Sequence, residues 1–178
     1  HLALMVISLV MPLAGEGQEQ SMSFNNLTIE DGLSQGNIND ITQDAEGFIW
    51  IATQDGLNRY DGYAVKTFQR SFEDTLSLPD NLVNTVYEDK SRRLWLGTAK
   101  AGLVRYNRSS GNFYKVSDQL TPDGHIPETV DVIQADQKGN LWLGGPYRKL
   151  VKYNPGDSTT STYSLAPDRS STDDSLSN

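Results

Sequence analysis

Trp50, Trp95 and Trp142 are the chain's three tryptophans, spaced by 45 and 47 residues, and the same text surrounds each. An aspartate stands six residues before each of them: Asp44, Asp89 and Asp136. Aliphatics precede each aspartate by three and by six: Ile41 and Ile38, Val86 and Val83, Ile133 and Val130. A second block follows each tryptophan, as Gly56-Leu57-Asn58-Arg59-Tyr60, Gly102-Leu103-Val104-Arg105-Tyr106 and Lys149-Leu150-Val151-Lys152-Tyr153. So many matching columns in three registers establish an internal repeat. A repeat at this period folds as stacked copies of one supersecondary unit, none of which can bury its apolar face alone. That sets aside the single-core domain that 178 residues would otherwise suggest.

The unit reads as short antiparallel strands. Asp44-Ala45-Glu46-Gly47 and Asp136-Gln137-Lys138-Gly139 are tight-turn text, the acid bonding into the turn and the glycine taking a positive φ. Aliphatic-Trp-aliphatic then makes a strand, Gln54-Asp55-Gly56 turns, and Leu57 to Tyr60 make a third strand. Ala64 to Phe68 form a fourth, with counterparts at Gly111 to Tyr114 and Thr162-Tyr163. Helix pairs fail, since no window between these glycines and prolines sustains a 3.6-residue period. The expected fold is all-β: three four-stranded antiparallel β-propeller blades of an incomplete, larger propeller. Aliphatics three apart break strict alternation in the first strand and predict a bulge. Arg92 stands where the other copies have Gly47 and Gly139, which predicts a different first turn in the second copy.

The three copies resemble the two-component regulator propeller repeat, whose pattern is Val-x-x-Ile-x-x-Asp-x-x-Gly-x-(Leu/Ile)-Trp-(Ile/Leu)-Gly-Thr-x-x-Gly-Leu-x-(Arg)-Tyr. Ile38 to Tyr60 and Val83 to Tyr106 spell it nearly in full, Val130 to Tyr153 more loosely. The departures are Ala52 for the usual glycine, Arg92 for the turn glycine, and Gly145-Pro146-Tyr147-Arg148 in place of threonine and its loop. The resemblance implies an extracytoplasmic, periplasmic sensor region of a bacterial membrane protein. Such a region binds a small molecule or oligosaccharide and is followed by a membrane span and a cytoplasmic output module. It further implies a membrane-anchored, homodimeric parent whose output is a histidine kinase. A diguanylate cyclase output, an exported propeller lyase or glycosidase, and a peptide-binding scaffold remain as alternatives.

The residues themselves carry little catalytic chemistry. His1 and His125 are the two histidines, and His125 lies in the loop text Pro122-Asp123-Gly124-His125-Ile126-Pro127. No catalytic triad, phosphate loop, metal-ligand spacing or cofactor motif can be assembled, so none of these is expected. Asp44, Asp89 and Asp136 recur at one position in every copy, which argues for a structural turn role rather than a catalytic acid pair. The tryptophan and tyrosine columns read as blade packing. With 15 basic against 23 acidic residues the chain carries a net charge of −8, unsuited to gripping a nucleic-acid backbone. Ligand contacts in repeat proteins fall where copies differ. The turn between second and third strands and the connections between blades share one face, which makes Gln54, Asp55, Lys100, Tyr147 and Arg148 the candidate ligand-binding rim.

Leu2 to Ala14 form an apolar run of 13 residues, short for the ~20 needed to span a bilayer but fitting the hydrophobic core of a signal peptide. The expected division is a signal segment over 1–17, a lead-in over 18–35, blades over 36–80, 81–127 and 128–165, and a connection over 166–178. Asp174 to Asn178 resemble Thr75 to Asn81, the approach to a blade. Three blades fall short of the roughly four that closure requires, so the chain reads as the N-terminal portion of a larger ring.

Overall fold

The computed structural model describes residues 26–120, 125–146 and 148–164. The expected signal segment and the terminal connection lie outside the described residues. Within them, β1 (Ile38–Gln43), β2 (Ile49–Thr53), β3 (Gly56–Tyr60) and β4 (Val65–Phe68) form one antiparallel sheet. A second sheet contains β5 (Val83–Glu88), β6 (Leu94–Thr98), β7 (Leu103–Asn107) and β8 (Asn112–Lys115). The third contains β9 (Val132–Ala135), β10 (Leu141–Gly144), β11 (Lys149–Asn154) and β12 (Thr159–Ser164). Strands lie in chain order within every sheet, as in a propeller blade. The first strands β1, β5 and β9 pack side by side, so the three blades share an inner wall.

The middle blade explains why its strands read as unbroken apolar text. Every residue of β6, Leu94-Trp95-Leu96-Gly97-Thr98, is buried, because one face meets the blade before it and the other the blade after. Two cores result. Between blades one and two, Trp50, Leu57 and Phe68 meet Val86, Leu96, Val104, Tyr106 and Phe113, with Leu78 of the connection inserted among them. Between blades two and three, Trp95 and Leu103 meet Ile133, Leu141, Leu143, Val151 and Tyr153. Trp50 and Trp95 each contact the tyrosine of the following blade edge-on, at 5.2 Å to Tyr106 and 6.0 Å to Tyr153. The aromatic columns therefore pack blades together. Trp142, whose outer face has no described blade against it, is half-buried and packs on Tyr163 of its own sheet.

The expected bulge is present in two copies. The ladder slips between Ile38 and Asp40 and again between Val83 and Thr85, leaving Asn39 and Asn84 as the extra residues. Both amides then reach the next blade, Asn39 donating to the Val83 carbonyl at 2.8 Å and Asn84 to the Asp131 carboxylate at 2.9 Å.

The expectation of a different first turn in the second copy is corrected. Arg92 adopts φ 60°, the left-handed conformation of Gly47 (92°) and Gly139 (82°). Its N–H donates to the Asp89 carbonyl at 2.8 Å, as the Gly47 and Gly139 N–H groups do to Asp44 and Asp136. Strand pairing on both sides and the aspartate in the turn impose the shape, and Arg92 accepts the cost of a side chain at positive φ.

Candidate functional site

The blades have two chemically distinct ends. At the end carrying the β1–β2, β5–β6 and β9–β10 turns, each aspartate ties its turn to its tryptophan. Asp44 Oδ1 accepts the Glu46 and Phe48 N–H groups, and Oδ2 accepts the Trp50 indole N–H at 2.7 Å. Asp89 and Asp136 receive the Trp95 and Trp142 indoles at 2.9 and 3.3 Å. Sequence reasoning reached the turn role but missed the indole bond; the constant spacing of six was its signal.

Each carboxylate takes a further side-chain donor, and the source differs. Asp89 uses Arg93 and Asp136 uses Asn140, each four residues on. The corresponding residue in blade one is Phe48, which has nothing to donate. Arg108, from the β7–β8 turn of blade two, fills that role: it reaches Asp44 and Glu88 at 2.7 Å each. It thereby bolts blade one to blade two. Burial pushes the Asp44 and Asp89 carboxyls up, but the indole, backbone and arginine donors outweigh it and hold both below the usual aspartate range. Asp136, chiefly through Asn140, lies at about 2. Asp44 and Asp89 are thus held in structural ion pairs, whereas Asp136 is held by neutral donors.

The opposite end carries the second-to-third-strand turns and the inter-blade connections, as expected. Gln54 pairs with Asn37, whose amide donates to it at 3.3 Å. Asp55 is fully engaged, accepting the Asn81 amide at 2.9 Å and the Gln69 amide at 3.1 Å. It anchors the connection between blades one and two. The Lys100 N–H donates to Asp80 Oδ2 at 2.8 Å, and Lys100 lines a cleft with Lys115, Pro127 and Glu128. Arg148 is exposed at φ 51°. Tyr147 lies outside the described residues. A neighbouring cleft is lined by His125, Pro127, Glu128, Pro146 and Lys149. The four described candidates thus do not converge on one pocket. His125, Glu128, Lys115 and Lys149, absent from the candidate rim, line these clefts. The variable connection that supplies two of them was the only signal.

The inner wall offers a further cleft of ≈ 430 Å³ between β1, β5 and β9. Asn39, Asp40, Asn84, Thr85 and Asp131 on its lining are already committed to holding blades together. Asp40 accepts the Thr85 hydroxyl and the Val86 N–H, and Asn39 and Asn84 reach across as described.

Repeated four-stranded blades packed face to face, with connections gathered at one end, define a β-propeller repeat domain. Residues 32–55 and 77–100 match the two-component regulator propeller family. Two of the three repeats thus carry the family's match. It is 40% identical over 63 residues, 35% of its length, to histidine kinase P4 of Formosa agariphila, of which it spans 5%. The extracellular domain of the hybrid two-component system BT3049 from B. thetaiotaomicron superposes with a TM-score of 0.70 at 30% identity, over 79% of this chain and 20% of that one. Virginiamycin B lyase from Staphylococcus aureus shares the fold alone, with a TM-score of 0.56 at 14% identity over 74% of this chain and 42% of its own. The chain therefore spans a small part of the first two relatives.

Proposed function

We propose that this chain is a ligand-sensing, extracytoplasmic portion of a two-component sensor whose output is a histidine kinase, and that the connection-bearing end of the blades receives a saccharide ligand. The observation that carries this reading is the recurrence of the family's repeat along the chain together with the likeness to an extracellular domain of a hybrid two-component system. Geometry supports the choice of end. At the turn end, conserved chemistry within the repeat is used up in Asp–Trp clamps, whereas the connection end differs from blade to blade and carries concave surface with unpaired polar side chains. Ligand bound there would bias how adjacent blades seat, and a membrane-anchored, dimeric receptor would read that change. Gln54 and Asp55 shape the rim, while Lys100 and Arg148 face the ligand.

The test is a whole-receptor phosphotransfer assay with a panel of oligosaccharides. Lys100→Ala with Arg148→Ala is expected to raise the ligand concentration for half-maximal response at least tenfold, leaving unliganded phosphorylation unchanged. An unchanged dose response in that variant would remove this end of the blades as the receiving surface.

A further inference from the structure

We infer that the two adjoining clefts at the junction of blades two and three form a site for an anionic saccharide, its carboxylate or sulfate held by Lys100, Lys115 and Lys149. This rests on the reading of the connection end as ligand-receiving and adds the class of ligand. The first cleft, ≈ 230 Å³, has Pro127, Pro146 and Val151 as its apolar surface, with His125, Glu128 and Lys149 at its polar edge. The second, ≈ 210 Å³, shares Pro127 and Glu128 with the first and adds Lys100 and Lys115. Three lysines and one glutamate therefore line this pair of clefts, in a chain whose net charge is −8. Among the described residues none of these lysines takes part in an ion pair; Arg93 and Arg108 supply those present. A local reversal of charge sign in concave surface concentrates anions. Apolar proline and valine surface beside hydrogen-bonding groups suits a sugar ring, and a Glu128 carboxylate can accept from its hydroxyls.

The walls are built before any ligand arrives. The Glu128 carbonyl accepts the Gly102 N–H at 2.7 Å, and the Thr129 hydroxyl donates to the Ala99 carbonyl at 2.8 Å. A side chain at Gly102 would press on the Pro127 carbonyl, and one at Gly145 on that of Thr129. This close backbone packing fixes the shared ridge between the clefts, so little ordering cost remains for binding. The inner-wall cleft has no lysine on its lining, and its Asn39, Asp40, Asn84 and Thr85 already bond blade to blade.

Calorimetric titration of the whole receptor tests the inference with three probes: uronate-bearing oligosaccharides, sulfated oligosaccharides, and neutral oligosaccharides of equal length. Binding is expected from one or both acidic classes and to weaken as salt rises from 50 to 500 mM. Lys100→Gln with Lys149→Gln should lose about tenfold or more in affinity, since charge-assisted bonds are the strong ones. Lys138→Gln, at the opposite end of the blades, should lose none. Neutral sugars binding as tightly as acidic ones, with the double variant unimpaired, would overturn the anionic site and leave the saccharide-sensing reading standing. Failure of every saccharide to bind, with inorganic sulfate binding or not, would overturn both.

Discussion

Arg108 is the residue on which the seating of blades one and two most depends, and Arg108→Met measures that dependence. Methionine keeps an apolar stem near Trp50, whose ring lies 5.9 Å from the guanidinium carbon, and deletes only the charge and its donors. The change strands two carboxylates. The Asp44 side chain is 0% exposed and Glu88 12%, against 22% for Arg108 itself. Removing one partner of a buried ion pair costs about 3–5 kcal/mol. Asp44 keeps its indole and two backbone donors, and Glu88 keeps the Ala45 N–H at 2.7 Å, so the cost falls to about 2–3 kcal/mol. For a chain of this size that lowers Tm by roughly 5–10 °C. Circular dichroism and tryptophan fluorescence on heating provide the readout. A double-mutant cycle with Asp44→Asn should give a coupling of about 1.5 kcal/mol or more. A loss under about 0.5 kcal/mol, or strict additivity in the cycle, would place the bridge among weak surface pairs and refute the reasoning.

Two glycines at equivalent positions should respond in opposite ways. A Cβ at Gly97 would lie 2.6 Å from both the Thr85 side chain and the Val130 carbonyl, whereas one at Gly144 has its nearest neighbour at 3.7 Å. Gly97→Ala should cost about 1–3 kcal/mol by overpacking and Gly144→Ala almost nothing, read by urea unfolding; equal effects would contradict the described blade spacing. Arg92→Gly should stabilise by about 0.5–1 kcal/mol, because a side chain at φ 60° is strained there, and a destabilised variant would sink that account. Asp44 and Asp89 titrate below the usual aspartate value of about 3.9, so the unfolded chain binds more protons in that range. Their contribution is complete above that pH and is lost as pH falls through the folded values. Unfolding measured from pH 7 to 2 should show a flat region and then a decline below about pH 4; a decline centred near pH 6 would implicate other groups.

The fold was legible because each blade must bury the same faces, and burial writes itself into periodic text. The Trp50, Trp95 and Trp142 columns, the aspartates, the bulge at Asn39 and Asn84 and the strand count all follow from one repeated packing problem. What remained hidden depends on contacts between copies. Arg108 belongs to no repeated column: Gly62 and Pro155 stand at its counterparts, so nothing in a single copy marks it. Its necessity emerges only with Phe48 in place, where blades two and three have the donors Arg93 and Asn140. Arg92 misled for a related reason, since local propensity argued for a new turn while flanking strands imposed the old one. The clefts were hidden because Lys149 sits within a repeated block and Lys115 within a strand, while Pro127 and Glu128 lie where copies share no register. Asp55 was legible as a loop residue, yet its carboxylate is spent on Asn81 and Gln69.

The two blade junctions are unequally fastened, and the difference falls where a ligand would act. Blades one and two are joined at both ends: by Asp55, Gln69 and Asn81 at the connection end, and by Arg108 with Asp44 and Glu88 at the turn end. Blades two and three share an apolar core and inner-wall bonds, but among the described residues no ion pair crosses between them. Pro155 occupies the place of Arg108, and Asp89 is satisfied within its own blade by Arg93. At the connection end this second junction is fastened laterally by Gly102 with Glu128, Thr129 with Ala99 and Val130 with Thr98. The first two of these bonds form the ridge between the basic clefts. An anion that draws Lys100 and Lys149 together across that ridge therefore strains the junction with the fewest other restraints. Blade one, bolted to blade two, would move with it as a unit. Under the proposed reading, sensing and stiffness would be linked by geometry: the firmly clamped pair would transmit, and the lightly clamped junction would respond.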